Sequence, residues 1–195
     1  MELRPAFDAL FAIDDAMADV VARSTQPALG AIKLAWWRER LEELDQGIIP
    51  AEPRLREAAR ELLPRGITGA DLGVLEDGWA TLLGEVPDNK RIAERGACLF
   101  KLAARLLKVE FSRNLEAAGR LYARVDAARR GLSTIEAGAV VLSREISPRA
   151  ARPLTALAAL AARDLHRGGP PFEAQATPGR AWSLLRHRLT GRFPR

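Results

Sequence analysis

Residues 9–44 read ALFAIDDAMADVVARSTQPALGAIKLAWWRERLEEL and predict two helices that follow one another along the chain. The first helix is expected from about Pro5 to Ala22, where apolar residues recur at intervals of three and four. Asp14 falls in the middle of the apolar face, while Asp15 and Asp19 lie along its flank. The spacing therefore predicts an amphipathic helix with one carboxylate on the side that faces the core.

The second helix is expected from Pro27 to about Asp45, with Ser24 and Thr25 available to cap its first turn. Because its apolar residues repeat at helical spacing, one stripe of this helix should be buried. We expect that core stripe to comprise Leu29, Ile32, Trp36 or Trp37, Leu41 and Leu44.

The rest of the chain also favours helix, since alanine, leucine and arginine dominate and aromatic residues make up only 6%. The predicted further elements are a short helix ending by Pro64, a helix begun by a capping box at Thr68–Asp71, a helix from Asp88 to Leu107, one from Ser112 to about Arg130, a less regular one from Leu132 to Ile146, and two begun by Ser147-Pro148 and Thr177-Pro178. We therefore predict one all-α domain over residues 1–195, ending in a basic helix and tail at about 178–195.

The composition excludes several classes of protein. A chain of 195 residues is long enough to bury one core without metals or disulfides, and the lone Cys98 has no partner for an internal disulfide. The first residues do not resemble a secretory signal, and no apolar run approaches the roughly 18 residues of a spanning helix. We expect a cytoplasmic protein whose contact with a membrane, if it has one, is peripheral.

The formal net charge of +5 suits nucleic acid, anionic lipid or a phosphorylated substrate equally well. Much of the excess lies in the arginine-rich stretch at residues 180–195, which we interpret mainly as a solvated amphipathic helix and tail. Binding to nucleic acid is not favoured, because no helix shows a dense one-sided stripe of arginine and lysine.

A family resemblance rests on these same residues. Leu10–Ile13 followed by Trp37-Arg38 resembles the first conserved block of squalene and phytoene synthases, in which an "LYAF"-like helix precedes aspartates and a Trp-Arg helix. Looser matches follow in family order over nearly the whole chain, at Leu75–Trp79, Glu94–Ala97, Gly119–Arg129 and Arg152–Leu154. The resemblance implies a helical isoprenoid-synthase bundle, with prenyl diphosphates held in a central cavity between aspartate-rich helices and magnesium ions.

The resemblance also implies a set of site residues. Carboxylates spaced i and i+4 lie on one helix face and can bind magnesium, which activates a diphosphate leaving group. The candidate metal ligands are Asp15, Asp19 and Asp126, the candidate diphosphate-binding residues are Arg38 and Arg95, and the candidate cavity-lining residues are Phe11, Trp37 and Trp79.

Each of these assignments has a structural alternative. Charged residues on a helix flank are usually solvated, and tryptophans usually pack in the core. Asp14 could contact a metal or a diphosphate, but a salt bridge to an arginine of a neighbouring helix is the favoured alternative. We expect His166 and His187 at the surface, since neither has the paired spacing of a metal ligand.

The aspartate pattern is thinner than in the enzymes of this family. Aligned through the "LYAF" segment, the chain has Ala18 and Ala22 where the spaced aspartates belong, and only Asp19 remains. In the stretch that matches the family's second aspartate motif, Gly119–Arg129, Asp126 is the one carboxylate, where the enzymes carry several. This pattern is similar to the family branch that includes mitochondrial respiratory complex I assembly factors, which is thought to act without prenyl transfer.

Three functions follow from the sequence. The preferred one is a divergent family member with weak or no prenyltransferase activity that binds an isoprenoid or a protein partner. The alternative is a working magnesium-dependent enzyme that joins two prenyl diphosphates head to head. The third is a basic nucleic-acid-binding module. The sequence contains no phosphate-binding glycine loop, zinc pattern or nucleophile elbow that would suggest another chemistry.

Overall fold

The computed structural model describes residues 2–135 and 147–193, and every regular element in them is helical. The α-helices are α1 (Arg4–Ala22), α2 (Pro27–Leu44), α3 (Pro53–Glu61), α4 (Gly69–Gly73), α5 (Leu75–Ala80), α6 (Asn89–Leu107), α7 (Arg113–Arg129), α8 (Arg152–His166) and α9 (Pro178–Thr190). Short 3-10 turns occupy Leu63–Arg65, Thr81–Leu83 and Arg149–Ala151. The all-α prediction is confirmed. The helix predicted up to Ile146 lies outside the described residues from residue 136 onward.

Most helix starts follow the predicted capping chemistry. Asp88, Ser112 and Thr177 each accept a hydrogen bond from a backbone N–H in the first turn of the helix that follows, and Thr68 and Asp71 form the predicted capping box. The start of α2 differs from the prediction, since neither Ser24 nor Thr25 caps it. Gln26 holds the cap position in extended backbone, and the Ser24 hydroxyl donates to the Gln26 carbonyl instead.

The first two helices differ in how well their buried faces were predicted. In α1, Leu10 and Met17 of the predicted apolar face are fully buried, and so is Ile13. In α2, the buried residues are Gly30, Leu34, Trp37, Leu41 and Leu44. The N-terminal half of the predicted stripe was wrong: Leu29, Ile32 and Trp36 are exposed. Both sides of this half are apolar, so residue spacing alone does not choose the inward side.

The closest helix pair is α6 and α7, which cross at Gly96 and Gly119. A Cβ atom on Gly96 would lie 2.0 Å from the Gly119 carbonyl oxygen, and one on Gly119 would lie 2.4 Å from the Gly96 oxygen. Only glycine permits this approach of the two backbones. The crossing brings Arg95, next to Gly96, against the α7 residues Ala123 and Asp126.

The remaining helices are arranged around this pair. The core joins α1 to α2, α3, α5 and α6, while α8 packs on α7 and α9 packs on α8. Among the described helices, none has both the length and the apolar character needed to cross a membrane. The polar residues described next lie where α1, α6, α7 and α8 meet.

Candidate functional site

Asp14 forms a buried ion pair with Arg95. Arg95 Nη1 donates to both carboxylate oxygens of Asp14 at 2.8 Å, and Trp79 Nε1 donates to Asp14 Oδ1 at 2.8 Å. The Arg95 guanidinium lies over the Trp79 ring, 3.7 Å from its centroid. Burial raises the pKa of Asp14, and the positive charge of Arg95 opposes that rise. The predicted salt bridge to an arginine of a neighbouring helix is therefore confirmed.

A second arginine, Arg130, joins the two carboxylates that were predicted to face each other. Arg130 Nη2 donates to Asp15 Oδ1 at 2.6 Å, and its Nε donates to Asp126 Oδ1 at 2.9 Å. Burial opposes the charge of Arg130, but the two carboxylates raise its pKa on balance. Asp126 also accepts from Arg95 Nη2 at 3.2 Å. The result is one chain of alternating charges that runs from Asp15 to Asp14.

The predicted metal ligands are only partly brought together. Asp15 and Asp126 share Arg130, whereas Asp19 lies beside Arg54, whose Nη2 is 3.4 Å from Asp19 Oδ2. Within the residues that the structure describes, no group of three or more His, Cys, Asp or Glu side chains is arranged to hold a metal ion. A guanidinium lies between the two carboxylates, so the residues as placed do not fit magnesium. Magnesium at Asp15, Asp19 and Asp126 stays a prediction.

The candidate diphosphate-binding arginines lie apart. Arg95 is fully buried, with its Nη atoms donating to Asp14 and Asp126. Arg38 is on the surface of α2, where its Nη1 lies 3.5 Å from Glu76 Oε2. The two guanidiniums therefore serve different ion pairs and do not converge on one space, and a diphosphate role for either residue stays a prediction.

An open cavity of about 500 Å³ lies between α1, α7, α8 and the start of α9. Its apolar lining comprises Phe11, Tyr122, Val125, Leu157, Leu160 and Ala161. Its charged lining comprises Asp15, Asp126 and Asp164 with Arg129, Arg130 and Arg180. Of the three candidate lining residues, Phe11 is in place, whereas Trp37 packs against Trp36 and Trp79 packs beneath Arg95.

Tyr122 places a phenol in the wall of this cavity. Its ring packs between Phe11 and Phe100, with ring centroids 6.4 Å and 5.6 Å away. Burial, and to a smaller degree the charges of Asp126 and Asp14, raise the pKa of Tyr122 well above its usual value. The phenol therefore stays protonated and can act as a neutral hydrogen-bonding group.

Asp164 forms a second buried ion-pair centre, which was not predicted from the sequence. Arg129 Nη1 donates to Asp164 Oδ2 at 3.0 Å, and Arg180 Nη1 donates to Asp164 Oδ1. A signal was available, because Asp164 is the only acidic residue between Pro148 and Phe172 and follows an alanine-rich run. A carboxylate on the apolar side of a helix is the same pattern that singled out Asp14.

The expected surface position of His187 was wrong. His187 is buried, with Nδ1 3.0 Å from the Arg192 carbonyl oxygen and Nε2 2.8 Å from Thr155 Oγ1. Because a carbonyl only accepts, Nδ1 carries a proton and donates to it. The face of α9 that bears His187 packs on α8, and burial lowers the pKa of the imidazole.

No family model, curated protein or solved structure matches this chain. The family resemblance therefore rests on the residues quoted above. Function has to be argued from the chemistry of the cavity and its ion pairs.

Proposed function

We propose that this chain is a divergent squalene/phytoene synthase-like protein that binds an isoprenoid in the cavity between α1, α7 and α8 and does not transfer prenyl groups. The observation that carries the proposal is the position of Arg130. Its guanidinium donates to Asp15 and to Asp126, the two candidate metal ligands that lie together.

Arg130 argues against metal-assisted loss of diphosphate. Magnesium acts in such reactions by binding free carboxylates and neutralising the leaving group. Here a cation would first have to displace a guanidinium from two charge-assisted hydrogen bonds. Arginine does not deprotonate to make way, and its pKa is raised further by these carboxylates. We therefore infer a binding function with no ionisation step.

The composition of the cavity supports an apolar ligand with an uncharged polar head. The aliphatic and aromatic lining suits a prenyl chain, and a volume of about 500 Å³ is within the range of small-molecule sites. The guanidiniums and carboxylates of the lining are paired with one another. A diphosphate would have to break these pairs and face three aspartates, whereas a hydroxyl or carbonyl can hydrogen-bond without breaking them.

The test is to measure binding of geranylgeraniol and of geranylgeranyl diphosphate to the purified chain, each with and without magnesium, together with release of diphosphate. We expect the alcohol to bind more tightly than the diphosphate, with no effect of magnesium and no diphosphate released. Magnesium-dependent binding with turnover would establish the alternative, a prenyltransferase that condenses prenyl diphosphates.

A variant that fills the cavity localises the binding. Leu160→Trp places a large side chain in the lining, and we expect affinity for the alcohol to fall at least about tenfold. Val86→Trp is the control, because Val86 is exposed and is not among the lining residues of this cavity. Equal affinity in the two variants would place the ligand elsewhere.

A further variant tests the role given to Arg130. Arg130→Gln leaves Asp15 and Asp126 close together without a cation between them, so we expect magnesium to raise the melting temperature of the variant but not that of the parent chain. Arg130→Gln combined with Asp15→Asn should lose this response. If magnesium stabilises the parent chain equally, the argument from Arg130 is wrong.

A further inference from the structure

The outer face of α9 is apolar and exposed. Trp182, Leu185 and Leu189 are spaced i, i+3 and i+7, so they share one face, and they are 67%, 46% and 69% exposed. The opposite face carries Arg180 and His187, which are buried against α8. A surface helix usually buries its apolar stripe. This helix is held by its polar residues and turns its apolar stripe to solvent.

Arginines lie on both sides of this stripe. At 100° per residue Arg186 follows one edge of the stripe and Arg188 the other. Arg152 fixes the end of the helix, since its Nη1 donates to the carbonyl oxygens of Arg188 and Leu189 at 2.9 and 3.0 Å. The stripe and its arginines are therefore presented as a preformed surface.

Two cavities extend this basic surface on either side of α9. One is lined by Arg149, Arg152, Leu184 and Leu189, among others. The other is lined by Arg163, Arg167, Trp182, Arg186 and Arg192, among others. In the part of the chain that the structure describes, neither cavity has a carboxylate in its lining. Glu173 pairs with Arg163 and Arg167 at one edge, and the remaining arginines leave an excess of positive charge around the apolar stripe.

We infer that the outer face of α9 docks on an anionic lipid bilayer, with the helix lying in the plane of the surface. The headgroup region of such a bilayer covers an apolar stripe and meets flanking arginines with phosphates. A second copy of this face would oppose arginine to arginine, and nucleic acid would leave Leu185 and Leu189 uncovered. The inference does not depend on the ligand of the cavity.

The exposed stripe of α2 supplies a matched comparison. Leu29, Ile32 and Trp36 are exposed at the same spacing, but the face continues into Glu39 and Glu43, which outnumber the Arg40 with which both pair. A carboxylate at the end of an apolar stripe is repelled by an anionic surface. We therefore expect α9, and not α2, to contact the lipid.

The test uses the full chain and two kinds of vesicle, one of phosphatidylcholine and one of phosphatidylcholine mixed with phosphatidylglycerol. In sedimentation we expect binding to the mixed vesicles, at least about tenfold weaker binding to the neutral ones, and a decline with added salt. In a Trp36→Phe background the emission of Trp182 should shift to the blue on binding, since the other tryptophans, Trp37 and Trp79, are buried.

Double variants test whether the outer face of α9 is the surface that binds lipid. Leu185→Ser/Leu189→Ser and Arg186→Gln/Arg188→Gln should each weaken binding at least about tenfold, whereas Leu29→Ser/Ile32→Ser should not change it. Circular dichroism and melting temperature should be unaltered, because all these side chains are exposed. The inference is overturned if the parent chain does not sediment with mixed vesicles, or if it binds neutral vesicles as tightly as mixed ones. It is also overturned if the Leu185→Ser/Leu189→Ser variant still binds mixed vesicles and DNA displaces it from them.

Discussion

Asp14 and Asp164 are both almost fully buried and both paired with arginine, but they stabilise different parts of the molecule. Asp14 joins α1 to Trp79 and Arg95 in the core, where the Arg95 side chain has no exposed surface. Asp164 joins α8 to Arg129 and Arg180, whose side chains keep 16% and 7% of their surface exposed. The same ion-pair chemistry therefore has a larger effect on stability where solvent cannot replace the missing partner.

The largest effect is expected for Arg95→Met. Removing one member of a buried pair leaves an uncompensated charge, so we expect the free energy of unfolding at pH 7 to fall by about 3 to 5 kcal/mol. Unfolding in denaturant measures this loss of free energy. The matched control is Arg91→Met, one turn earlier on α6, whose partner Asp77 is exposed, and it should cost less than about 1 kcal/mol. Equal losses would show that burial is not what distinguishes the Asp14 centre.

The stability of Arg95→Met as a function of pH tests whether the loss comes from the buried charge of Asp14. Burial raises the pKa of Asp14 above its unfolded value, and the variant lacks the guanidinium that opposes this rise. A carboxylate whose pKa is raised on folding binds a proton more readily in the folded state. The loss of unfolding free energy in the variant should therefore shrink as the pH falls towards the pKa of an aspartate in the unfolded chain. A deficit that stays constant from neutral to acidic pH would contradict this account.

A smaller effect is expected at the second centre. Asp164→Asn removes the charge that neutralises Arg129 and Arg180, and we expect a loss of about 2 to 3 kcal/mol, since both arginines can still reach some water. Exchange of backbone amide hydrogens should become faster in α9, which Asp164 holds through Arg180, and should stay unchanged in α1. Faster exchange throughout the chain would mean that the two centres form a single cooperative unit.

His187 gives the fourth test, at the contact between α8 and α9. Burial lowers the pKa of this imidazole, so the folded state resists a proton that the unfolded state accepts below about pH 6.5. Stability should therefore be full above that pH and should decrease by about 1 kcal/mol or less as pH falls from there towards the lowered pKa. Melting curves of His187→Gln should lose this dependence, whereas curves of His166→Gln should retain it.

The sequence contained the information for single helices but not for how they meet. Helical spacing placed Asp14 on a buried face and correctly favoured an arginine partner, because an unpaired charge there would be costly. It could not show that Arg130 would lie between Asp15 and Asp126, which are 111 residues apart along the chain, since that depends on how α1 and α7 pack. The buried side of the N-terminal half of α2 was predicted wrongly for a related reason. Both sides of this half are apolar, and which one is buried depends on the helices that pack against it.

The smallest effect in this comparison is expected for Asp15→Asn, one residue along α1 from Asp14. Its carboxylate is 55% exposed and shares Arg130 with Asp126, so water and Asp126 both compensate for its loss. We expect a change of at most about 1 kcal/mol in the free energy of unfolding, measured in the same denaturant titrations as Arg95→Met. A loss as large as that of Arg95→Met would mean that the chain of alternating charges acts as one unit, with its exposed end as important as its buried one. A small loss would confirm that the metal-like spacing of Asp15 and Asp19 and the stabilising role of Asp14 belong to different faces of the same helix.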